Sequence, residues 1–290
     1  MNLVREDENE KKKQKQLKIF YIVIISICVI AILLAFIIQI INENNIVSKE
    51  ENNNKEISNL TANEISQNKE KFYEIFENKV NYLENNAYKI SKINQNEEIV
   101  YLGYQNNESK INDYELDVNI PYININDETI DQFNTQIREI FETKAKSVLN
   151  THNNNIIYTV DYSAYVTNNI LSVVIRSTLK EGTNPQRDIV QTYNYDLINH
   201  KKCTIEEMLE LKGITKKDAG QKIKDEIKTV QEKVGELAKL GYTVFARDYT
   251  SDIYNIDNVT EYFMGENNTI YVIYAYGNLN HTSEMDIVVM

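Results

Sequence analysis

The groups in this 290-residue chain whose types could carry chemistry are three histidines, two cysteines and a few spaced polar residues. His152, His200 and His281 would be metal ligands if further donors stood at zinc-site spacing, but His200-Lys-Lys-Cys203 offers two ligands at most. Ser66-Gln-Asn-Lys69 has the Ser-x-x-Lys spacing of penicillin-interacting acyl transferases, yet no Lys-Thr-Gly accompanies it. Gly213 and Gly220 in GITKKDAGQK are separated by six residues, where a phosphate-cradling loop requires four. Glu206 and Glu207 are adjacent, so on a helix they point in different directions and make a poor acid–base couple. No Gly-x-Ser-x-Gly or Gly-x-Gly-x-x-Gly occurs. The sequence thus names no catalytic residue, no metal or cofactor ligand and no ligand-binding residue. The expectation is a protein that is not an enzyme and holds no cofactor. Tyr193, Tyr195, Tyr271, Tyr274 and Tyr276 are the remaining candidates. They could line a recognition surface, but tyrosine in alternating strands more often packs half-buried.

The elements that would position these residues follow from periodicity. Residues 98–104, 114–123, 156–166, 170–179, 188–198, 269–276 and 285–289 are rich in β-branched and aromatic side chains with partial alternation, and read as strands. Thr167-Asn168-Asn169 reads as the turn between two of them. A helix is expected over 127–149, with Ile130, Phe133, Ile137, Ile140, Phe141 and Val148 on one face. A short helix starts at Thr204, whose spacing to Glu207 is a capping box. Another runs over 216–240 with the stripe Ala219, Ile223, Ile227, Val230, Val234, Leu237, Leu240, and Gly241 stands where a C-terminal cap would. Earlier, Ile65, Phe72, Phe76, Val80, Leu83, Ala87 and Ile90 suggest an amphipathic stalk helix over 63–94. Runs of antiparallel strands with helices between them define an α+β domain over 95–290.

Residues 19–41, IFYIVIISICVIAILLAFIIQII, contain no charge, proline or glycine. As a helix they span roughly 34 Å, enough to cross a hydrocarbon core of about 30 Å. Arg5, Lys11, Lys12, Lys13, Lys15 and Lys18 precede the span, and residues 42–62 after it are polar and low in complexity. The expectation is a cytoplasmic tail (1–18), a single uncleaved transmembrane helix (19–41), a tether (42–62) and an extracellular remainder, held in the cell membrane by the lipid bilayer. The tail carries six of the 31 Lys and Arg and four of the 43 Asp and Glu, which leaves 25 against 39 outside, a balance of −14. That excess disfavours nucleic acid and suits a cationic partner. Cys28 falls in the span, so only Cys203 lies outside it, and an exported domain without a disulfide must rest on its apolar core. Five Asn-x-Ser/Thr sequons, beginning at Asn59, are unremarkable in a chain with 39 Asn.

Several segments, in order, resemble one family. They are Val118-Asn-Ile-Pro-Tyr-Ile123 followed by Ile130-x-x-Phe-Asn-x-x-Ile137, Ile170-Leu-Ser-Val-Val-Ile175, Thr192-Tyr-Asn-Tyr-Asp-Leu197 with Lys202-Cys-Thr-Ile-Glu-Glu-Met-Leu209, and Glu261-Tyr-Phe through Ile270-Tyr-Val-Ile-Tyr274. Residues 95–290 resemble the extracytoplasmic domain of RsiV-type anti-sigma proteins, also found in PdaC-type peptidoglycan deacetylases of Gram-positive bacteria. The resemblance implies a binding module of the bacterial cell envelope that recognises a basic protein such as lysozyme, or a peptidoglycan ligand. Two alternatives stand beside it. One is an anti-sigma-like signalling regulator, against which an 18-residue charged tail argues. The other is a cell-wall hydrolase using loop carboxylates.

Overall fold

The structure, a computed structural model, describes residues 62–81, 88–277 and 283–290. The chain divides at Ile57/Ser58, and the described residues all belong to the unit Ser58–Met290. The expected tail 1–18, the transmembrane helix 19–41 and the tether up to 61 lie outside the described residues, as do His281 and the sequons at Asn59 and Asn280. Among the described residues no helix is long and apolar enough to cross a membrane.

The unit is α+β. Helix α1 (Ala62–Glu70) leads through a 3-10 turn (Lys71–Glu74) to a short strand β1 (Lys79–Asn81). Strands β2 (Val100–Lys110) and β3 (Tyr114–Ile123) form a hairpin. Next comes a helix built as α2 (Glu128–Ile137), a π turn (Arg138–Glu142) and α3 (Thr143–Leu149). Strands β4 (Ile156–Thr167), β5 (Ile170–Glu181), β6 (Arg187–Asp196) and β7 (Lys201–Lys202) complete a sheet ordered β2-β3-β4-β5-β6-β7, with β1 also on β4. Helices α4 (Ile205–Leu211) and α5 (Lys216–Lys239) follow. A second sheet, ordered β10-β9-β8, contains β8 (Glu261–Met264), β9 (Ile270–Ala275) and β10 (Met285–Val289).

Two features correct the sequence reading. The stripe over 63–94 is not one stalk helix. The helical part ends at Glu74, Asn78 takes a left-handed φ of 55°, and β1 then pairs with Ser163–Tyr165 of β4. Phe72 is fully buried against Tyr165, Val174, Phe263 and Tyr271, so this segment is part of the domain. Nor is the large sheet purely antiparallel. β3 runs parallel to β4 over Tyr114–Val118, and β1 is parallel to β4 as well. A parallel neighbour needs a long crossover, and α2 and α3 supply it between β3 and β4.

The layering follows from which faces are apolar. Ile130, Phe133, Ile137, Phe141 and Val148 pack α2 and α3 onto Val118, Val160, Tyr162, Val173 and Ile175 of the large sheet. The opposite face presents Tyr165, Val174 and Val190 to Tyr271 and Ile273 of β9. The far face of the small sheet, with Ile270, Val272 and Tyr276, receives α4 and α5 through Met208, Leu209, Ala219, Ile223 and Ile227. β5 is therefore covered on both sides, which is why its first six residues are all buried and read as an unbroken apolar run.

Local chemistry sets the joints. Asn168 and Asn169, at φ of 52° and 64°, make the expected turn between β4 and β5. Of the ten non-glycine residues at positive φ among the described residues, eight are asparagine, the residue that best tolerates that conformation after glycine. With only eight glycines in the chain, asparagine forms many of its turns. The Thr204–Glu207 capping box is present. At the end of α5, Tyr242 N donates to Leu237 O and Gly241 N to Ala238 O, with Gly241 at φ 88°. This is the Schellman arrangement that glycine permits.

Candidate functional site

Beside the start of β8, a cleft of about 470 Å³ opens between Ile189–Gln191 of β6, the stretch from Asp252 to Thr260, and Ile273–Tyr276. Its polar focus is Glu261, the first residue of β8. Oε2 accepts hydrogen bonds from Thr192 N at 2.7 Å and Thr192 Oγ1 at 3.0 Å. Burial pushes the carboxyl up to about 7, against the two Thr192 bonds and the charge of Lys202, which favour ionisation. Burial thus brings the ionisation of the Glu261 carboxyl near neutral pH.

The floor is fixed by a buried polar network. Arg247 grips Asp286 with Nε to Oδ2 at 2.9 Å and Nη2 to Oδ1 at 3.1 Å, and also pairs with Glu284. Tyr276 donates to Asp286 Oδ2 at 2.8 Å, and the hydroxyls of Tyr254 and Tyr276 are 2.8 Å apart. The Arg247 guanidinium lies 4.8 Å from the Tyr276 ring centroid, a cation–π contact that adds to the clamp. Tyr274, edge-on to Tyr254 at 5.0 Å, lines the cleft. Its hydroxyl is buried and has no hydrogen-bond partner among the described residues. An unmet buried hydroxyl costs about 1–3 kcal/mol, and sites that recognise a ligand are one place where that is tolerated.

The edge of β8 facing the large sheet is closed by side chains. Tyr262 N donates to Thr192 Oγ1, Asn194 Nδ2 to Tyr262 O, and Met264 N to Ser172 Oγ. Ser172 Oγ donates in turn to Asn194 Oδ1 at 2.7 Å.

The residues that the sequence brings forward are mostly placed elsewhere. His152 lies beside Asp113 at 3.3 Å, and His200 occupies a turn at φ 53°. Cys203 is buried in the α4–α5 core, where burial pushes its thiol up to about 12. Among the described residues no group of three acidic, histidine or cysteine side chains could hold a metal. Ser66 and Lys69 are on α1, and Lys69 pairs with Glu226 of α5. Glu207 serves the capping box, and Glu206 pairs with Lys216. Of the five tyrosines, Tyr193, Tyr195, Tyr271 and Tyr276 are buried packing residues, while Tyr274 and Tyr276 also line the cleft. In the sequence Glu261 stands out only as the first residue of the family-like segment Glu261-Tyr-Phe. A single carboxyl has no sequence signature, and its burial comes from residues far away in the chain.

Neither a family model nor a curated protein sequence matches the chain. Solved structures similar to it are DUF3298 family proteins. One, from Pseudomonas aeruginosa PAO1, is 8% identical, covers 65% of this chain and 85% of its own, and superposes with a TM-score of 0.34. Another, from Bacteroides fragilis, is 11% identical over 61% of this chain and 81% of its own, with a TM-score of 0.29. Likeness at that level carries nothing about the site.

Proposed function

We propose that this protein is a membrane-anchored, extracytoplasmic binding module of the bacterial cell envelope, and that its ligand is a lysozyme-like basic protein or a cell-wall fragment. The observation that carries the binding reading is the cleft. It combines apolar walls with one partly desolvated carboxyl, the mixture by which binding pockets orient a ligand. The span at 19–41, the −14 balance outside it and the resemblance to RsiV-type domains support the envelope setting. Titration of residues 58–290 against lysozyme and against soluble peptidoglycan fragments tests the ligand. Saturable binding to either is expected, and none at tens of micromolar would remove the assignment.

The near-neutral carboxyl of Glu261 favours one second reading, a hydrolase with Glu261 as general acid or base, since that task suits a group poised near the working pH. Zymography on cell walls separates the two. Clearing that is lost in Glu261→Gln would establish the enzyme.

A further inference from the structure

β8 stops at Glu261, opposite Ile273, whereas β9 runs on to Ala275. The other edge of β9 stays paired to its end, through Ala275 opposite Met285. The flanking hydrogen bonds fix where each backbone group points. Ile270 and Met290 exchange both bonds, and Tyr276 N donates to Glu284 O. Even-numbered residues of β9 therefore turn their N–H and C=O toward β10, and odd-numbered ones toward β8. Ala275 is odd-numbered, and no β8 residue stands opposite it. Its N–H and C=O thus open toward the cleft, at the place two residues ahead of Glu261 in the β8 register. Beside this short open edge, both hydrogen bonds to Glu261 fall on Oε2. Ile189 and Ile253 give the walls apolar surface.

We propose that this cleft binds the amino-terminal end of a short extended peptide, its backbone running parallel to β9 on the open edge at Ala275 and its ammonium group, at the near end, meeting the Glu261 carboxylate. An open strand edge supplies backbone hydrogen bonds to any extended chain, and flanking pockets supply selectivity. A partly desolvated carboxylate gains most from a cation that brings N–H donors. Lys202 is the positive group acting on Glu261, and its pull still leaves the carboxyl raised. Asp252 adds negative charge to the lining. The inference rests on the binding-module reading but not on lysozyme as the ligand, so lysozyme titration can fail while this site stands.

The test is calorimetric titration of the full chain in detergent, near neutral pH, with the tripeptide amide Ala-Val-Ala and with its Nα-acetylated form. The free amine should bind saturably and at least about tenfold more tightly than the acetylated peptide. Glu261→Gln should abolish that preference. Ala275→Pro, which deletes the open N–H while leaving the β10 ladder untouched, should weaken both peptides. Equal affinity for the two forms, a preference that survives Glu261→Gln, unchanged binding in a folded Ala275→Pro variant, or no saturation by about 10 mM would each overturn the proposal.

Discussion

Replacing Glu261 with Gln isolates the effect of burying its carboxyl. Glutamine keeps the size and an oxygen that can accept from Thr192 N and Oγ1, but it cannot ionise. In the folded protein the carboxyl rises from its ordinary 4.5 to about 7, because burial outweighs the Thr192 bonds and the Lys202 charge. Between those values the folded chain holds a proton that the unfolded chain releases. The contribution to stability is therefore fully present below about pH 4.5 and is lost as pH rises through about 7. At about 1.36 kcal/mol per tenfold change in proton affinity, the loss is at most about 3 kcal/mol. It is a ceiling because Glu261 keeps some contact with solvent through the cleft. Urea unfolding of residues 58–290 at a series of values from about pH 5 to about pH 8 measures it directly. The wild type should lose up to about 3 kcal/mol more than Glu261→Gln across that range, so that the variant is the more stable protein at the alkaline end. Parallel stability curves for the two proteins would refute the argument, and with it the claim that the cleft desolvates this group.

Phe72→Ala should destabilise the same unit by about 3–5 kcal/mol, seen as a lower urea midpoint, because the ring is fully buried between the two sheets. A loss under about 1 kcal/mol would mean that the segment before β1 adds little to the core. Arg247→Met leaves the Asp286 carboxylate buried without its bidentate partner and should cost about 3–5 kcal/mol, with part recovered in the double variant Arg247→Met, Asp286→Asn. If the −14 balance steers a basic partner, the association rate with lysozyme should fall steeply as salt rises past about 0.15 M, where the Debye length is roughly 8 Å. A flat rate would leave recognition to apolar and tyrosine contacts.

Features encoded within a few residues were legible in the sequence. The Asn168-Asn169 turn, the Thr204 cap and the Gly241 terminus each depend on local backbone geometry, and each is where the residue types place it. The faces of α2 and α3 were equally clear, since one stripe meets one sheet. The stripe from Ile65 to Ile90 misled because steps of four and seven do not require a helix. Phe72 anchors a 3-10 turn, Val80 sits in a strand, and Asn78 turns the chain between them. The stripe of α5 misled differently. Its first half is core, but Leu237 is 40% and Leu240 75% exposed, because the helix outruns the surface it packs on. The cleft was hidden because its parts meet only through pairing. Thr192 and Glu261 are distant in sequence, and the place where β8 stops relative to β9 is a property of register.

The side chains that close the edge of β8 also index the two sheets against each other. Apolar faces alone tolerate sliding, since one methyl group can replace another. Ser172, Thr192 and Asn194 instead engage particular backbone atoms of Tyr262 and Met264. A shift of two residues would preserve the inward and outward alternation yet break all three bonds at once. The small sheet therefore has one discrete seat on the large one, with few intermediate positions of comparable energy. The start of β8, the open end of β9 and the width of the gap between them all follow from that seat. Three small polar residues, none of them lining the cleft, thereby determine where its walls stand.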